Sequence, residues 1–82
     1  MKTADFIKAV KNLGLSAYEE CNTMVMIDDD SDTALVMIDT GRMCVLGTNF
    51  TGFMDLDETV RKKLFALVAE YSFTPIDERE KQ

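Results

Sequence analysis

A run of aspartates near the middle of the chain has the most obvious potential for chemistry. Asp28, Asp30 and Asp32 stand at alternate positions, as the first three ligands of an EF-hand calcium loop do. However, Thr33 occupies the position where the sharp turn needs glycine, and Asp39, at the place of the last ligand, lacks the longer Glu side chain. We therefore expect a solvated loop here and no metal site.

The residue types that most often serve catalysis are scarce in this chain. It has no His, which removes the commonest general base and the commonest metal ligand. Cys21 and Cys44 have no CxxC spacing and lie in apolar stretches, so we expect two reduced, buried thiols. The acidic residues cluster in loops and at a helix start, where solvation and capping explain them. We expect no enzyme, with a hydrolase that uses a pair of acids as the alternative.

No cofactor is expected either. The glycines at 41, 47 and 52 form neither a dinucleotide-binding pattern nor a phosphate-binding loop followed by Lys and Ser or Thr.

Charge is distributed unevenly along these 82 residues, whose formal net charge is −6. Residues 14–58 contain ten acidic residues against Arg42 alone, which gives this segment a charge of −9, whereas the flanking segments hold most of the basic residues. Phosphate backbones would be repelled by the acidic end. We therefore expect no direct nucleic-acid binding through that end of the molecule.

The first half of the chain predicts a helix followed by strands. Apolar residues at helical spacing predict a helix over residues 3–13, with Thr3 as its N-cap and Gly14 in the left-handed conformation at its end. Short apolar runs then predict four strands, at residues 15–21, 24–27, 34–38 and 43–46. Residues 22–23 and 39–42 predict tight hairpins, the second with Gly41 at a positive φ, so the natural topology is an antiparallel meander.

The second half predicts a longer helix. Asp55 and Glu58 have the form of a capping box, and an apolar stripe continues to about Ser72. Pro75 favours a new helical turn just after Thr74. The fold class is therefore α+β, in the order helix, four-stranded antiparallel meander sheet, helix and short C-terminal helical turn. Residues 1–76 form one domain, and 77–82 are predicted to be a polar, solvated tail.

The central strands are apolar at every position, whereas a sheet with helices on one side should show polar residues on the other. This pattern leaves two interpretations open. Either Met24, Met26 and Met37 belong to a small methionine-filled core with helices on both sides, or a second copy or a partner covers one face. From the second we predict a two-fold dimer through the sheet.

The chain also resembles a known group of proteins. The residues that carry the likeness are Asp5-Phe6-Ile7-Lys8, the run 24–28, Leu35-Val36, Asn49-Phe50-Thr51-Gly52-Phe53, Leu64-Phe65-Ala66-Leu67 and the run 70–80. With this pattern the chain resembles small uncharacterised proteins of prophages and integrative elements of Gram-positive bacteria, most sharply over residues 74–80. The resemblance implies an accessory protein that binds host or phage proteins, and it lends no catalytic residues.

These observations favour a small acidic protein-interaction module of a phage or mobile element. No run approaches the ~20 apolar residues of a membrane span, and the start lacks an apolar signal region, so we expect a cytoplasmic protein with no membrane partner. The alternative is an inhibitor that mimics nucleic acid, as some anti-CRISPR proteins do, and blocks a host defence nuclease. The predicted interaction surface comprises acidic residues for steering and apolar residues for contact, namely Asp28, Asp29, Asp30, Asp32, Asp39, Met24, Met26, Met37, Phe50 and Phe53.

Overall fold

The computed structural model describes residues 1–21, 23–29, 31, 33–43, 46–48, 52 and 54–79. Its helices and strands follow the predicted α+β order. In chain order they are helix α1 (Thr3–Lys11), strands β1 (Ser16–Glu20), β2 (Met24–Asp28), β3 (Ala34–Asp39) and β4 (Leu46–Thr48), helix α2 (Glu58–Ser72) and the short helix α3 (Ile76–Arg79).

The strands form one sheet in the order β1-β2-β3-β4, with each strand antiparallel to its neighbour. The predicted meander is therefore confirmed. The pairing of β2 with β3 shifts between Ile27 and Asp28, since Ile27 lies opposite Val36 and Asp28 lies opposite Ala34. Leu35, between those two partners, is fully buried, and so is Val36. The irregularity thus directs two adjacent residues of β3 into the interior.

Both long helices pack on the same face of the sheet. The core unites Phe6 and Val10 of α1 with the buried residues of α2 and of the strands. These further core residues are Leu64, Val68 and Tyr71 of α2, and Ala17, Val25, Ile27, Leu35, Val36 and Ile38 of the strands. Met24, Met26 and Met37 alternate with core residues of the strands and are not part of this cluster. The interpretation of a methionine-filled core with helices on both sides is therefore wrong.

The ends of α1 confirm one prediction and correct another. Gly14 has φ +90°, the left-handed conformation expected after the helix. The N-cap residue is Lys2, with no side-chain capping bond, so Thr3 is not the cap. Thr3 is buried instead, and its Oγ1 lies 2.6 Å from Oη of Tyr71, which joins the first turn of α1 to the end of α2.

Helix α2 begins two residues away from the predicted cap. Its N-cap is Asp57, whose Oδ2 accepts a hydrogen bond from the Thr59 amide at 3.1 Å. Asp55 lies one half-turn earlier and is exposed, so the predicted capping box with Glu58 does not form. The predicted end at Ser72 is confirmed.

This difference gives a test in a matched pair of variants. We expect Asp57→Ala to lower the free energy of unfolding by about 1 kcal/mol, because the Thr59 amide loses its acceptor. Asp55→Ala removes the same charge from an exposed site outside the helix and should change it by less than about 0.5 kcal/mol. Urea unfolding of both variants measures the difference, and a larger loss in Asp55→Ala would contradict the assignment of the cap.

Two predictions about the turns are also wrong. Cys21 is an exposed free thiol with φ +54°, because it lies in the turn after β1 rather than inside a strand. Gly41 does not have a positive φ, and its amide donates a hydrogen bond to Oδ1 of Asp39 in the turn after β3. Asn22 and Cys44 lie outside the described residues.

The C-terminal helix packs against the body of the protein through Arg79, whose side chain is 1% exposed. Its guanidinium donates to three carbonyl oxygens, those of Thr74 (3.2 Å), Ser72 (3.1 Å) and Asp39 (2.8 Å). The same group lies 4.4 Å from the ring centroid of Tyr71. Arg79 therefore departs from the expected solvated tail, because the backbone ends of α2 and β3 satisfy its donors. The helical turn predicted after Pro75 is confirmed.

Candidate interaction surface

The face of the sheet opposite the helices, called the outer face below, carries three rows of side chains across the strands. The register places Tyr18, Met26, Met37 and Gly47 in the middle row. We call its three side chains, Tyr18, Met26 and Met37, the apolar band. Ser16, Asp28 and Ala34 form the row on one side, and Glu20, Met24 and Asp39 form the row on the other.

The apolar band is open to solvent. Tyr18 is 44% exposed and Met37 is 43% exposed, whereas Met26 and Met24 are half-buried. At the β4 end the row finishes in Gly47, and a shallow depression of about 170 Å³ lies there, lined by residues 34–37 and 47–48. A solvent-exposed row of Tyr and Met is the kind of surface that proteins use for contact, because Tyr offers a large amphipathic ring and Met adapts its shape.

Acidic groups stand at both margins of the apolar band. On one side Tyr18 Oη donates a hydrogen bond to Oδ2 of Asp28 at 3.2 Å, which fixes the carboxylate beside the band. Glu20 and Asp39 belong to the row on the other side. Rows two residues apart along a strand are separated by about 7 Å. The outer face is therefore apolar along its middle and negative at its edges.

The carboxylate of Asp39 is held by the turn that follows β3. Its Oδ1 accepts from the Gly41 amide at 2.7 Å, and its Oδ2 accepts from Nε and Nη2 of Arg42 at 3.0 and 2.9 Å. These bonds favour the charged form, so the Gly41 amide first and the Arg42 guanidinium second lower the pKa of Asp39 below its ordinary value of 3.8. The turn thus keeps Asp39 ionised while Arg42 offsets part of its charge.

This lowered pKa predicts a pH dependence of stability. A carboxyl group whose pKa is lower in the folded state stabilises the fold above its ordinary pKa, and this contribution is lost as the pH falls through the folded value. We expect the stability advantage of the wild type over Asp39→Asn to be constant near neutral pH and to shrink below pH 3.8. Urea unfolding between neutral pH and about pH 2 checks this. A difference that grows on acidification would contradict it.

The side chain of Asp29 organises the aspartate loop after β2. Oδ1 of Asp29 accepts hydrogen bonds from the amides of Ser31 and Thr33, both at 2.9 Å. The Asp29 amide in turn donates to the Thr33 carbonyl at 3.0 Å. This arrangement is an Asx turn, the geometry that aspartates commonly stabilise in loops. Asp30 and Asp32 lie outside the described residues, and among the described ones no group of three potential ligands could hold a metal ion.

A second depression lies between the start of β2, the turn after β3 and the first residue of the C-terminal helix. It has a volume of about 540 Å³ and is lined by Thr23, Met24, Asp39, Thr40, Gly41, Arg42 and Ile76. Arg42 and Asp39 give it a charged wall, and Met24 and Ile76 give it an apolar one. Met24 extends the apolar part of the outer face towards this depression.

The structure also exposes two aromatic residues that the sequence prediction passed over. Phe65 of α2 is 63% exposed, and Phe73, the C-cap residue of that helix, is 67% exposed, so both aromatic rings face solvent. The exposure of Phe65 could have been predicted in part from the apolar stripe of the helix. Phe65 directly follows the stripe residue Leu64, so its side chain points about 100° away from that of Leu64. Phe50 and Phe53, which the sequence placed in the interaction surface, lie outside the described residues.

The fold and this surface define a two-layer α+β protein with helices on one face of a meander sheet and an apolar, acid-edged face on the other. None of the described helices combines the length and the apolar character that crossing a membrane requires. A comparison with models of protein families, with curated proteins and with solved structures finds no match.

Proposed function

We propose that this protein is a non-enzymatic interaction module that binds a protein partner through the outer face of its sheet. The observation that carries the proposal is the exposure of Tyr18 and Met37 on a face that neither long helix covers. Burial of such a row against a partner would remove apolar area from water at about 25 cal/mol per Å², and aromatic residues are frequent centres of binding energy. The acidic margins would steer a partner that carries positive charge.

The proposal also covers the kind of genetic element that encodes the protein and the compartment in which it acts. The resemblance to proteins of prophages and integrative elements supports an accessory role that acts on host or phage proteins. The exposed, free thiol of Cys21 suits a reducing compartment such as the cytoplasm.

The geometry supports apolar contact more strongly than mimicry of nucleic acid. A mimic must present its carboxylates outward as phosphates are presented. Asp29 accepts the amides of its own loop, and Asp39 is paired with Arg42, so these two charges are partly engaged within the protein. Competition separates the two functions, because nucleic acid displaces a mimic from its partner but leaves contact through the apolar band in place.

Photo-crosslinking from defined positions tests the proposed face. The photoreactive residue p-benzoylphenylalanine is introduced at position 18 on the outer face or at position 65 on α2, and each protein is irradiated in a Gram-positive bacterial lysate. We expect a specific adduct from position 18 that disappears when Met37→Glu is added. The crosslinked protein is then purified, and its affinity for the wild type and for Met37→Glu is measured by calorimetry.

The control variant for the calorimetry is Phe65→Ser, which changes an exposed side chain of α2, in the layer behind the sheet. It should bind the purified partner as the wild type does. The proposal fails if Met37→Glu binds as tightly as the wild type, or if the adduct forms from position 65 and not from position 18. Displacement of the partner by nucleic acid would favour the mimic instead.

A further inference from the structure

The dimensions and charges of the outer face also indicate what kind of segment it binds. Resting on the proposed function, we propose that the occupant is a basic amphipathic α-helix of the partner protein. Its apolar stripe would lie along the apolar band, and its Lys and Arg residues would reach the acidic margins.

The length of the middle row suits a short helix. The row crosses all four strands, from Tyr18 on β1 to Gly47 on β4. Three inter-strand spacings of about 4.8 Å each make it about 14 Å long. At a rise of 1.5 Å per residue, this equals roughly ten residues or three turns of an α-helix, enough for three or four apolar anchors.

The width of the face suits a helix as well. Each margin lies about 7 Å from the apolar band, and an α-helix with its side chains is about 10 Å across. A helix centred on the band therefore places its flanking positions above Asp28 on one side and above Glu20 on the other. Long Lys and Arg side chains at these positions would pair with the carboxylates while their stems cover apolar surface.

The β4 end of the row offers a place for a bulky anchor. Gly47 has no side chain, and among the residues that line the depression beside it, Met37 belongs to the outer face. A Cβ added at Gly47 would lie 3.9 Å from Met37 Cε, an ordinary van der Waals contact, so the Met37 side chain borders the surface above Gly47. A Leu or Phe of the incoming helix would contact this depression. The flexible side chains of Met26 and Met37 would adapt to the other apolar residues of the same helix.

Charge also distinguishes this occupant from a second copy of the chain. A two-fold pairing of outer faces would bring the acidic margins of two molecules together, each with a net charge of −6. Like charges in such an interface cost affinity, whereas a cationic helix gains from the same groups. The two-fold dimer predicted from the sequence is thus the competing occupant, and light scattering distinguishes it.

The test uses three synthetic peptides of about 14 residues labelled with fluorescein. The first has Leu at helical spacing on one side and Lys and Arg on the others. The second has Glu in place of Lys and Arg. The third has the composition of the first in an order that destroys the apolar stripe. Fluorescence anisotropy measures their binding to the full chain, and we expect saturable binding of the first peptide and at least about tenfold weaker binding of the other two.

Variants then locate the binding site. Met37→Glu should weaken binding of the first peptide by about tenfold or more, because it places a charge in the apolar band. Glu20→Gln together with Asp28→Asn should weaken binding and reduce its dependence on salt. Phe65→Ser, in the layer behind the sheet, should leave the affinity unchanged. Circular dichroism and urea unfolding verify that each variant is folded.

Three outcomes would overturn the inference: equal binding of all three peptides, binding that is insensitive to Met37→Glu, or a concentration-dependent dimer abolished by Met37→Glu. The inference and the proposed function can fail separately. If a partner crosslinks to position 18 while the first peptide does not bind, only the helical occupant is wrong. If no partner depends on Met37, the proposed function is wrong even where the peptide binds.

Discussion

Replacing Arg79 with alanine is expected to lower the free energy of unfolding by about 3–5 kcal/mol. The guanidinium is almost completely buried, and its loss leaves the carbonyl oxygens of Ser72, Thr74 and Asp39 without their donor. Buried polar groups that lose a charged partner are costly, and the vacated volume adds a cavity. Urea unfolding followed by circular dichroism measures the loss.

Two further variants make this prediction specific. Arg42→Ala removes an arginine whose side chain is 73% exposed, and we expect a loss of at most about 1 kcal/mol. Arg79→Lys keeps the charge but loses the planar group that lies over Tyr71 and donates in three directions, so it should recover only part of the stability. Equal losses in Arg79→Ala and Arg42→Ala would show that the C-terminal helix does not pack as described.

The second large effect is expected at Leu64 of α2. Leu64 is fully buried in the core, and Leu64→Ala should lower the free energy of unfolding by about 2–5 kcal/mol through lost burial and a cavity. The neighbouring residue is the matched control. Phe65 is 63% exposed, so Phe65→Ala should change the stability by no more than about 0.5 kcal/mol, although it removes more atoms.

Leu67 of the same helix has an intermediate burial, so its substitution should have an intermediate effect on the free energy of unfolding. It belongs to the apolar stripe, yet it is only half-buried and packs at the edge of the core. We expect Leu67→Ala to fall between the two neighbours in urea unfolding, because partial burial leaves less to lose. If Phe65→Ala proved more destabilising than Leu64→Ala, the orientation of α2 on the sheet would be wrong.

The buried contacts also bear on the outer face. Arg79 ties the C-terminal helix to the carbonyl of Asp39, and Asp39 belongs to a margin of that face. Tyr71, which lies under the Arg79 guanidinium, connects these contacts to α1. Its ring stacks on that of Phe6 with centroids 4.4 Å apart, and its hydroxyl forms a hydrogen bond with the Thr3 hydroxyl. The C-terminal helix thus fixes the position of the end of β3 through the hydrogen bond from Arg79 to the Asp39 carbonyl. A rigid sheet edge would keep the acidic margin and the apolar band in register for a partner.

Features that depend on neighbours in sequence follow from the sequence alone. The apolar stripe of α2, the left-handed Gly14 after α1, the helical turn after Pro75 and the order of the strands all arise from periodicity or turn chemistry within a few residues. The class of the fold was predictable for this reason. The choice between Asp55 and Asp57 as the cap was not, because both precede the same helix and the difference is half a turn.

The candidate surface was predictable in part. Alternation within β2 puts Met24 and Met26 on one face. Alternation within β3 would put Leu35 on the same side as Met37, but the register shift directs Leu35 into the core. Whether helices cover that face or leave it exposed to solvent depends on where α1 and α2 pack. The strands have the same periodicity in either arrangement, so the strand pattern alone does not decide between them. The core contacts of Phe6 and Leu64 decided it by placing both helices behind the sheet.

The remaining features depend on contacts between distant parts of the chain. Thr3 meets Tyr71 across 68 residues, and Arg79 reaches the Asp39 carbonyl across 40. A charged residue among charged neighbours at the end of a chain carries no local sign of burial. Tertiary packing brings the carbonyl groups at the ends of α2 and β3 together. These carbonyls accept hydrogen bonds from the guanidinium of Arg79 and so allow it to be buried away from water.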